Sequence, residues 1–345
     1  MTLRVGFLGG GLIANYHAIM LRSAQADIEV SLVHDPDPSR AESFASGYHA
    51  SVAATEAEVI EASDAVYVCT WTSEHRRLVE SVAAAGKAIF CEKPLAITLA
   101  DAQAMVEVVQ AAGVTNQVGL VLRDSPSFLL LKHLVAQPES GRVMSVVFRD
   151  DQYIPIQGMY GSTWRADRTK AGAGALIEHS IHDLDMLEWV GGDITAVNSR
   201  TSSFHQIDGI EDVAVVTMQF ADGGVGTLTS VWHDLLARPS LRRVEVLCER
   251  AFYVLEGDAL GPVRWTRDEA TFGGVADGFV EGDALKKAIT EAGLVARNPD
   301  GAFIEAVAAG QPAYPAFETA LRPHALVEAV YRSADQQGAP VEPIG

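Results

Sequence analysis

Short, nearly unbroken apolar runs alternate with longer mixed segments through the first third of the chain. Leu3 to Leu8, Ile28 to Val33, Asp64 to Thr70, Ala88 to Cys91 and Val114 to Leu122 read as strands. Their lack of polar alternation suits a sheet covered on both faces. Between them, Ile13 to Leu21, Pro38 to Ser46, Glu74 to Ala85 and Leu99 to Ala112 read as helices. Pro38 stands at an early helical position, while Gly86 and Gly113 close two of the others. The alternation predicts an α/β domain with a parallel sheet. No internal repeat or low-complexity segment breaks the pattern.

The chain has 345 residues, of which 48% are hydrophobic, enough for two well-cored domains. A net charge of −19 repels phosphate backbones and anionic lipid, so neither nucleic acid nor a membrane surface is an expected partner. The three cysteines, Cys69, Cys91 and Cys248, form no spaced metal framework, and the first two lie inside apolar runs as buried thiols. There is neither a signal-peptide pattern nor an apolar run long enough to span a bilayer. A reducing cytoplasm is the expected compartment.

The chemistry begins at VGFLGGGLIANYHA, residues 5 to 18. Gly9, Gly11 and Ala14 fill the pattern G-x-G-x-x-G/A between a strand and a helix. Gly9 suits the tight turn, Gly11 lets a pyrophosphate approach, and Ala14 lets the helix pack on the strand. The helix start at Leu12 and Ile13 offers free N–H groups to the phosphates. Asp35, at the end of the second strand, is placed to accept hydrogen bonds from ribose hydroxyls and to repel a 2′-phosphate. No arginine directly follows it, which favours NAD over NADP.

Two further segments carry ionisable groups. Glu92-Lys93-Pro94 follows the strand Ala88 to Cys91, at the sheet edge where such folds bind ligands. A lysine partly withdrawn from water there is suited to exchange a proton with a hydroxyl. In AGAGALIEHSIHDLDMLEWV, residues 171 to 190, helical spacing would put Glu178, His182 and Asp185 on one face. Glu178, His179, His182, Asp183 and Asp185 lack the H-E-x-x-H spacing, and no distant ligand announces itself, so no metal is expected.

Taken together, GGGLIA, FCEKPLA and GAGALIEHSIHDLD resemble the Gfo/Idh/MocA family of nicotinamide-dependent oxidoreductases. RDSP at residues 123 to 126 and the C-terminal stretch from FIEAVAAGQPAYP onward add to the likeness. The resemblance implies a Rossmann domain over 1–122. It also implies a substrate-binding and oligomerisation domain over 123–345, with room for the last helix to pack back on the first. That second domain would be α/β with a large, open, mostly antiparallel sheet. Its strands would be Val143 to Arg149, Ala196 to Ser202, Val213 to Phe220, Gly226 to Trp232, Arg243 to Cys248 and Ala251 to Leu255.

By the same resemblance Lys93 and His182 carry proton transfer, with Glu178 standing where many members have Asp and Ser180 where they have glycine. Glu92, Thr70 and His75 would border the cofactor. Arg123, Trp164, Arg165 and Asp185 would contact substrate, with His233 a weaker candidate. The implied activity is an NAD-dependent dehydrogenase of a sugar, sugar acid or cyclitol, working as a homodimer or homotetramer. A non-catalytic dinucleotide sensor and a redox-neutral enzyme with tightly held NAD are the alternatives.

Overall fold

The computed structural model describes residues 2–269 and 274–344. The chain divides into two units, Met1–Leu120 with Thr169–Gly172 and Arg297–Leu321, and Val121–Arg168 with Ala173–Ala296 and Arg322–Gly345. The first unit opens with β1 (Leu3–Leu8), α1 (Leu12–Leu21), β2 (Ile28–His34), α2 (Pro38–Tyr48), β3 (Ser51–Val52) and α3 (Glu56–Ala62). It continues with β4 (Ala65–Val68), α4 (Thr72–Ala84), β5 (Ala88–Cys91), α5 (Leu99–Ala112) and β6 (Asn116–Val118). The six strands lie parallel in the order β3-β2-β1-β4-β5-β6, the doubly wound arrangement.

Local chemistry explains most of these boundaries. Asp37 caps α2 ahead of Pro38, Thr55 caps α3, and Thr98 caps α5, which Gly113 ends in a left-handed turn. The strand read as Val114 to Leu122 is confined to Asn116–Val118. It stops at Gly119, where a Cβ would lie 2.6 Å from the Glu92 carboxylate. Val121–Asp124 is a 3₁₀ turn instead. Phe7, Tyr67 and Phe90 face one another across β1, β4 and β5, with ring centroids 4.9 and 4.7 Å apart. All three are fully buried, and each such ring stabilises the unit by roughly 2–3 kcal/mol. This ladder supports the inner face of α1.

The second unit holds α6 (Pro126–Val135), β7 (Val143–Tyr153), α8 (Ala175–Glu178) and α9 (Ile181–Gly191), while α7 (Arg168–Ala171) belongs all but its first residue to the first unit. Seven strands follow: β8 (Ile194–Ser202), β9 (Val213–Phe220), β10 (Val225–His233), β11 (Leu241–Cys248), β12 (Ala251–Glu256), β13 (Val263–Glu269) and β14 (Gly274–Val280). The chain ends in α10 (Gly282–Glu291), α11 (Pro299–Ala309) and α12 (Leu321–Asp335). The eight-stranded sheet has the order β14-β13-β12-β11-β7-β10-β9-β8, and among these neighbours only β7 and β10 run parallel. α11 sends Phe303 and Ile304 into the first unit's core, whereas Leu326 and Val330 of α12 belong to the second.

Along β7 and β11 the covered face changes character. Val146 and Phe148, with Val244 and Val246, pack in the apolar core, but the next inward positions are Asp150 and Arg242. These two lie directly opposite each other in the ladder. The run read as ending at Arg149 therefore continues to Tyr153, its last inward positions buried although polar. Among the described residues, no helix is long and apolar enough to cross a membrane.

Candidate active site

In the first unit the glycine turn is built to be open. Gly9 has φ +97°, and a Cβ there would sit 2.5 Å from the Cys69 carbonyl oxygen. A side chain is excluded by both space and conformation. At Gly11, by contrast, nothing lies within 4 Å of the Cβ position. Gly11 is also the N-cap of α1 and contributes no side-chain hydrogen bond. The first-turn amides of Leu12 and Ile13 thus remain available to an anion, with both side chains exposed beside them. The turn fits a dinucleotide's pyrophosphate.

Asp35 ties the end of β2 to this turn. Its Oδ2 accepts the Gly10 N–H at 2.8 Å and its Oδ1 accepts the Asp37 N–H at 2.8 Å. Each oxygen keeps a further lone pair, so the carboxylate can still accept from ribose hydroxyls. Thr70 stands partly buried after β4. His75 is packed inside, with Nδ1 3.0 Å from the Pro94 carbonyl oxygen and Nε2 3.4 Å from that of Thr70. Burial lowers its pKa, and the neutral ring, with one N–H, donates to one of these carbonyls at a time, the Pro94 contact being the shorter. Its observed contacts are with the backbone.

Glu92 and Lys93 follow β5, the first buried and the second half-buried. Glu92 has a partner that sequence reasoning missed. His17, on the inner face of α1, places Nε2 2.9 Å from Glu92 Oε1 and Nδ1 2.7 Å from Asp300 Oδ1. Burial alone would strip the proton from His17, but the two carboxylates outweigh it and raise its pKa to about 10. Burial likewise opposes the charge on Glu92, yet hydrogen bonding to His17 holds its pKa below the usual value. Asp300 is 283 positions from His17, so local sequence carried no sign of the pair.

In the second unit the Glu178–His182 segment is not one helix. α8 ends at Glu178 and α9 begins at Ile181, with His179 at φ −120°, ψ −57° between them. Helical spacing across residues 178 to 182 therefore does not apply. The break turns Ser180 to donate to the Ser230 hydroxyl at 2.6 Å. It also puts His179 Nε2 2.8 Å from Asp150 Oδ2. The preceding glycine serves backbone packing: a Cβ at Gly174 would lie 1.8 Å from the Glu211 carbonyl oxygen. The Glu211 carboxylate accepts the N–H groups of Gly174 and Leu176.

Several other candidates in this unit are engaged with one another. Arg123 holds Asp185 in a two-point pair at 2.8 and 2.6 Å, rather than standing free for substrate. Burial raises the Asp185 pKa, and Arg123 opposes that rise. Arg165 donates to buried Glu178 at 2.8 Å and stacks on Trp164 at 4.4 Å. His182 is buried at the start of α9. His233 approaches Asp151, at 3.5 Å.

Beneath this layer lies a charged cluster that sequence reasoning did not find. Arg242 Nε donates to Asp183 at 2.7 Å, one terminal nitrogen donates to Asp258 at 2.9 Å, and the other lies 3.4 Å from Asp150. Burial, then the nearby Asp150 charge, pushes the Asp183 pKa up to about 7. Unfolding restores an ordinary value, so between about pH 4 and about pH 7 the folded state binds more protons. Stability from this group is therefore present in acid and lost as pH rises through that window. Each pH unit crossed costs up to about 1.4 kcal/mol. Asp183→Asn is expected to flatten the slope, as read by urea unfolding at a series of pH values.

Residues 3–120 match the oxidoreductase family with an NAD-binding Rossmann fold, and residues 128–254 match the GFO/IDH/MocA C-terminal domain. The chain belongs to the Gfo/Idh/MocA family. Within that family it is similar to an inositol 2-dehydrogenase of Rhizobium meliloti (strain 1021), with 34% identity over 198 residues. That stretch is 56% of this chain and 56% of the relative's length. It is 31% identical over 249 residues to scyllo-inositol 2-dehydrogenase (NAD(+)) of Bacillus subtilis (strain 168), covering 68% of this chain and 70% of that one. Its fold resembles that of a levoglucosan dehydrogenase solved with NADH, at a TM-score of 0.84, 20% identity and full coverage of both chains. Both halves of the expected architecture, Rossmann sheet and larger antiparallel sheet, are those of this Gfo/Idh/MocA protein.

Proposed function

We propose that this Gfo/Idh/MocA protein is an NAD-dependent dehydrogenase acting on a CH–OH group of a cyclitol, sugar or sugar acid. The observation that carries the reading is Lys93, at the carboxyl end of β5 in the same sheet as the open glycine turn, in a chain similar to inositol 2-dehydrogenases. The first-turn amides at Leu12 and Ile13 hold the pyrophosphate, and Asp35 takes the adenosine ribose. When bound, NAD supplies the redox half of the reaction, its nicotinamide taking a hydride from the carbinol carbon. Lys93 accepts the hydroxyl proton at Nζ, leaving a ketone.

His182 is the second proposed proton-transfer group, and Glu178 its neighbour in the broken helix. Thr70, His75 and Glu92 belong to the proposed cofactor side. Trp164, Arg165, Arg123 and Asp185 belong to the substrate side, as mutually braced surfaces rather than free charges. Asp35→Ala is expected to weaken NAD binding and relax the bias against NADP, measured by titrating both cofactors. An unchanged ratio of affinities would remove Asp35 from the ribose site.

The outer face of the second sheet supports self-association as a dimer or tetramer. Val147, Val215 and Leu247 stand exposed there, opposite the covered face. Sedimentation of the whole chain tests this, and a monomer would remove it. The activity is tested by offering cyclitols and sugars with NAD while following the reduced-nicotinamide absorbance. Growth of that band supports the dehydrogenase. Dinucleotide binding without turnover supports a sensor, and product without net cofactor change supports a redox-neutral enzyme.

A further inference from the structure

A neutral imidazole has one N–H and can donate to one carboxylate, yet His17 meets a carboxylate oxygen at each ring nitrogen, at 2.7 and 2.9 Å. Only the doubly protonated ring donates at both. This cation lies beneath the Phe7–Tyr67–Phe90 ladder, its ring 4.8 Å from that of Phe90. Glu92 is gripped from three sides. Oε1 meets His17, Oε2 accepts the Lys93 main-chain N–H at 3.2 Å, and Gly119 leaves no room for another side chain. Charged groups in such a core add little stability over apolar ones of the same size, so their arrangement calls for a different role.

We propose that His17 is a positioning residue for Lys93, fixing the Glu92 carboxylate from behind and offsetting the negative charge which that carboxylate sets beside the Lys93 amine. The proposal rests on the reading of Lys93 as the proton-transfer group. Tyr67 and Cys69 of the β4 segment, and Cys91 of β5, are kept protonated and neutral by burial. His75 on the α4 side is kept neutral by burial, and Tyr16 on α1 keeps its proton for the same reason. In this unit the Glu92 carboxylate faces the His17 imidazolium, which also meets Asp300. Glu92 and Lys93 interact directly through their charges. Without His17, the Glu92 charge is no longer offset, and Lys93 gives up its proton less readily.

The test uses the full chain with lysines labelled at Cε and Nζ, titrated by NMR; the signal absent from Lys93→Met identifies Lys93. His17→Gln is expected to raise the Lys93 midpoint by about one pH unit, and Glu92→Gln to lower it by about as much. Midpoints that stay in place in folded variants overturn the proposal. If His17→Gln does not fold, ¹⁵N-histidine spectra of the unmodified protein at pH 8 decide. Two protonated ring nitrogens on His17 support the proposal, and a singly protonated ring overturns it. None of these readings needs turnover. A chain that oxidises no polyol but shows these shifts loses the dehydrogenase reading alone. An active enzyme without the shifts loses the His17 reading alone.

Discussion

Lys93→Met is expected to lower turnover by about 100-fold or more while leaving NADH binding in place, the scale of losing a positioned acid–base group. Lys93 follows β5, its neighbour Glu92 is clamped by His17, and the following loop is fastened by His75. Lys93 is thus carried just past the strand end by a loop braced at its neighbours, which suits proton transfer at a fixed atom. Lys93→Arg is expected to fail nearly as badly, because a guanidinium stays protonated at neutral pH and cannot accept the hydroxyl proton. Lys87 supplies the control. It precedes the same strand at the opposite end and donates to the carbonyls of Glu61 and Ser63. Lys87→Ala is expected to leave turnover unchanged. Full activity in Lys93→Met would remove Lys93 from the chemistry, and loss of NADH binding would assign it to the cofactor instead.

Arg242→Met is expected to destabilise the second unit by about 3–5 kcal/mol, the range for removing one partner of a buried charge network. Arg242 is almost fully buried and stands among Asp150, Asp183 and Asp258. Methionine restores the volume but leaves Asp150 and Asp183 buried with no arginine between them. The exposed pair Arg142–Glu249 makes the comparison, since solvent screens it and Arg142→Met should cost far less. Trp164, Trp189, Trp232 and Trp265 lie in this unit, so their fluorescence during urea unfolding reports on it. Adding Asp150→Asn and Asp183→Asn to Arg242→Met should recover part of the loss, because it removes the stranded ionisable carboxyls. Equal costs for Arg242→Met and Arg142→Met would show that the cluster carries no special energy.

Much of the first unit was legible because burial on both faces makes parallel strands into plain apolar runs. The glycine turn was legible because its φ and its crowding against Cys69 leave one residue type at Gly9. β3 escaped notice because two residues make no pattern, and the part of β7 beyond Arg149 escaped because Asp150 and Gln152 are polar yet face inward. Period-based reading assigns such residues to solvent. The break between α8 and α9 was hidden as well, since Glu-His-Ser-Ile-His contains neither proline nor glycine. His17 was hidden by distance: its partners lie 75 and 283 positions away, and one of them arrives on α11, which returns to the first unit from near the chain's end. Lys93 and His182 were picked out from the sequence, but the groups that brace Lys93 were visible only once the chain was folded.

The most direct measurement uses a cyclitol carrying deuterium at the reacting carbon, incubated with this protein and NAD, with the cofactor then read by mass spectrometry. Reduced cofactor bearing one deuterium, formed in equal amount with the ketone, is the predicted result. Cofactor that stays oxidised and unlabelled while bound, across cyclitols, sugars and sugar acids, would contradict the account.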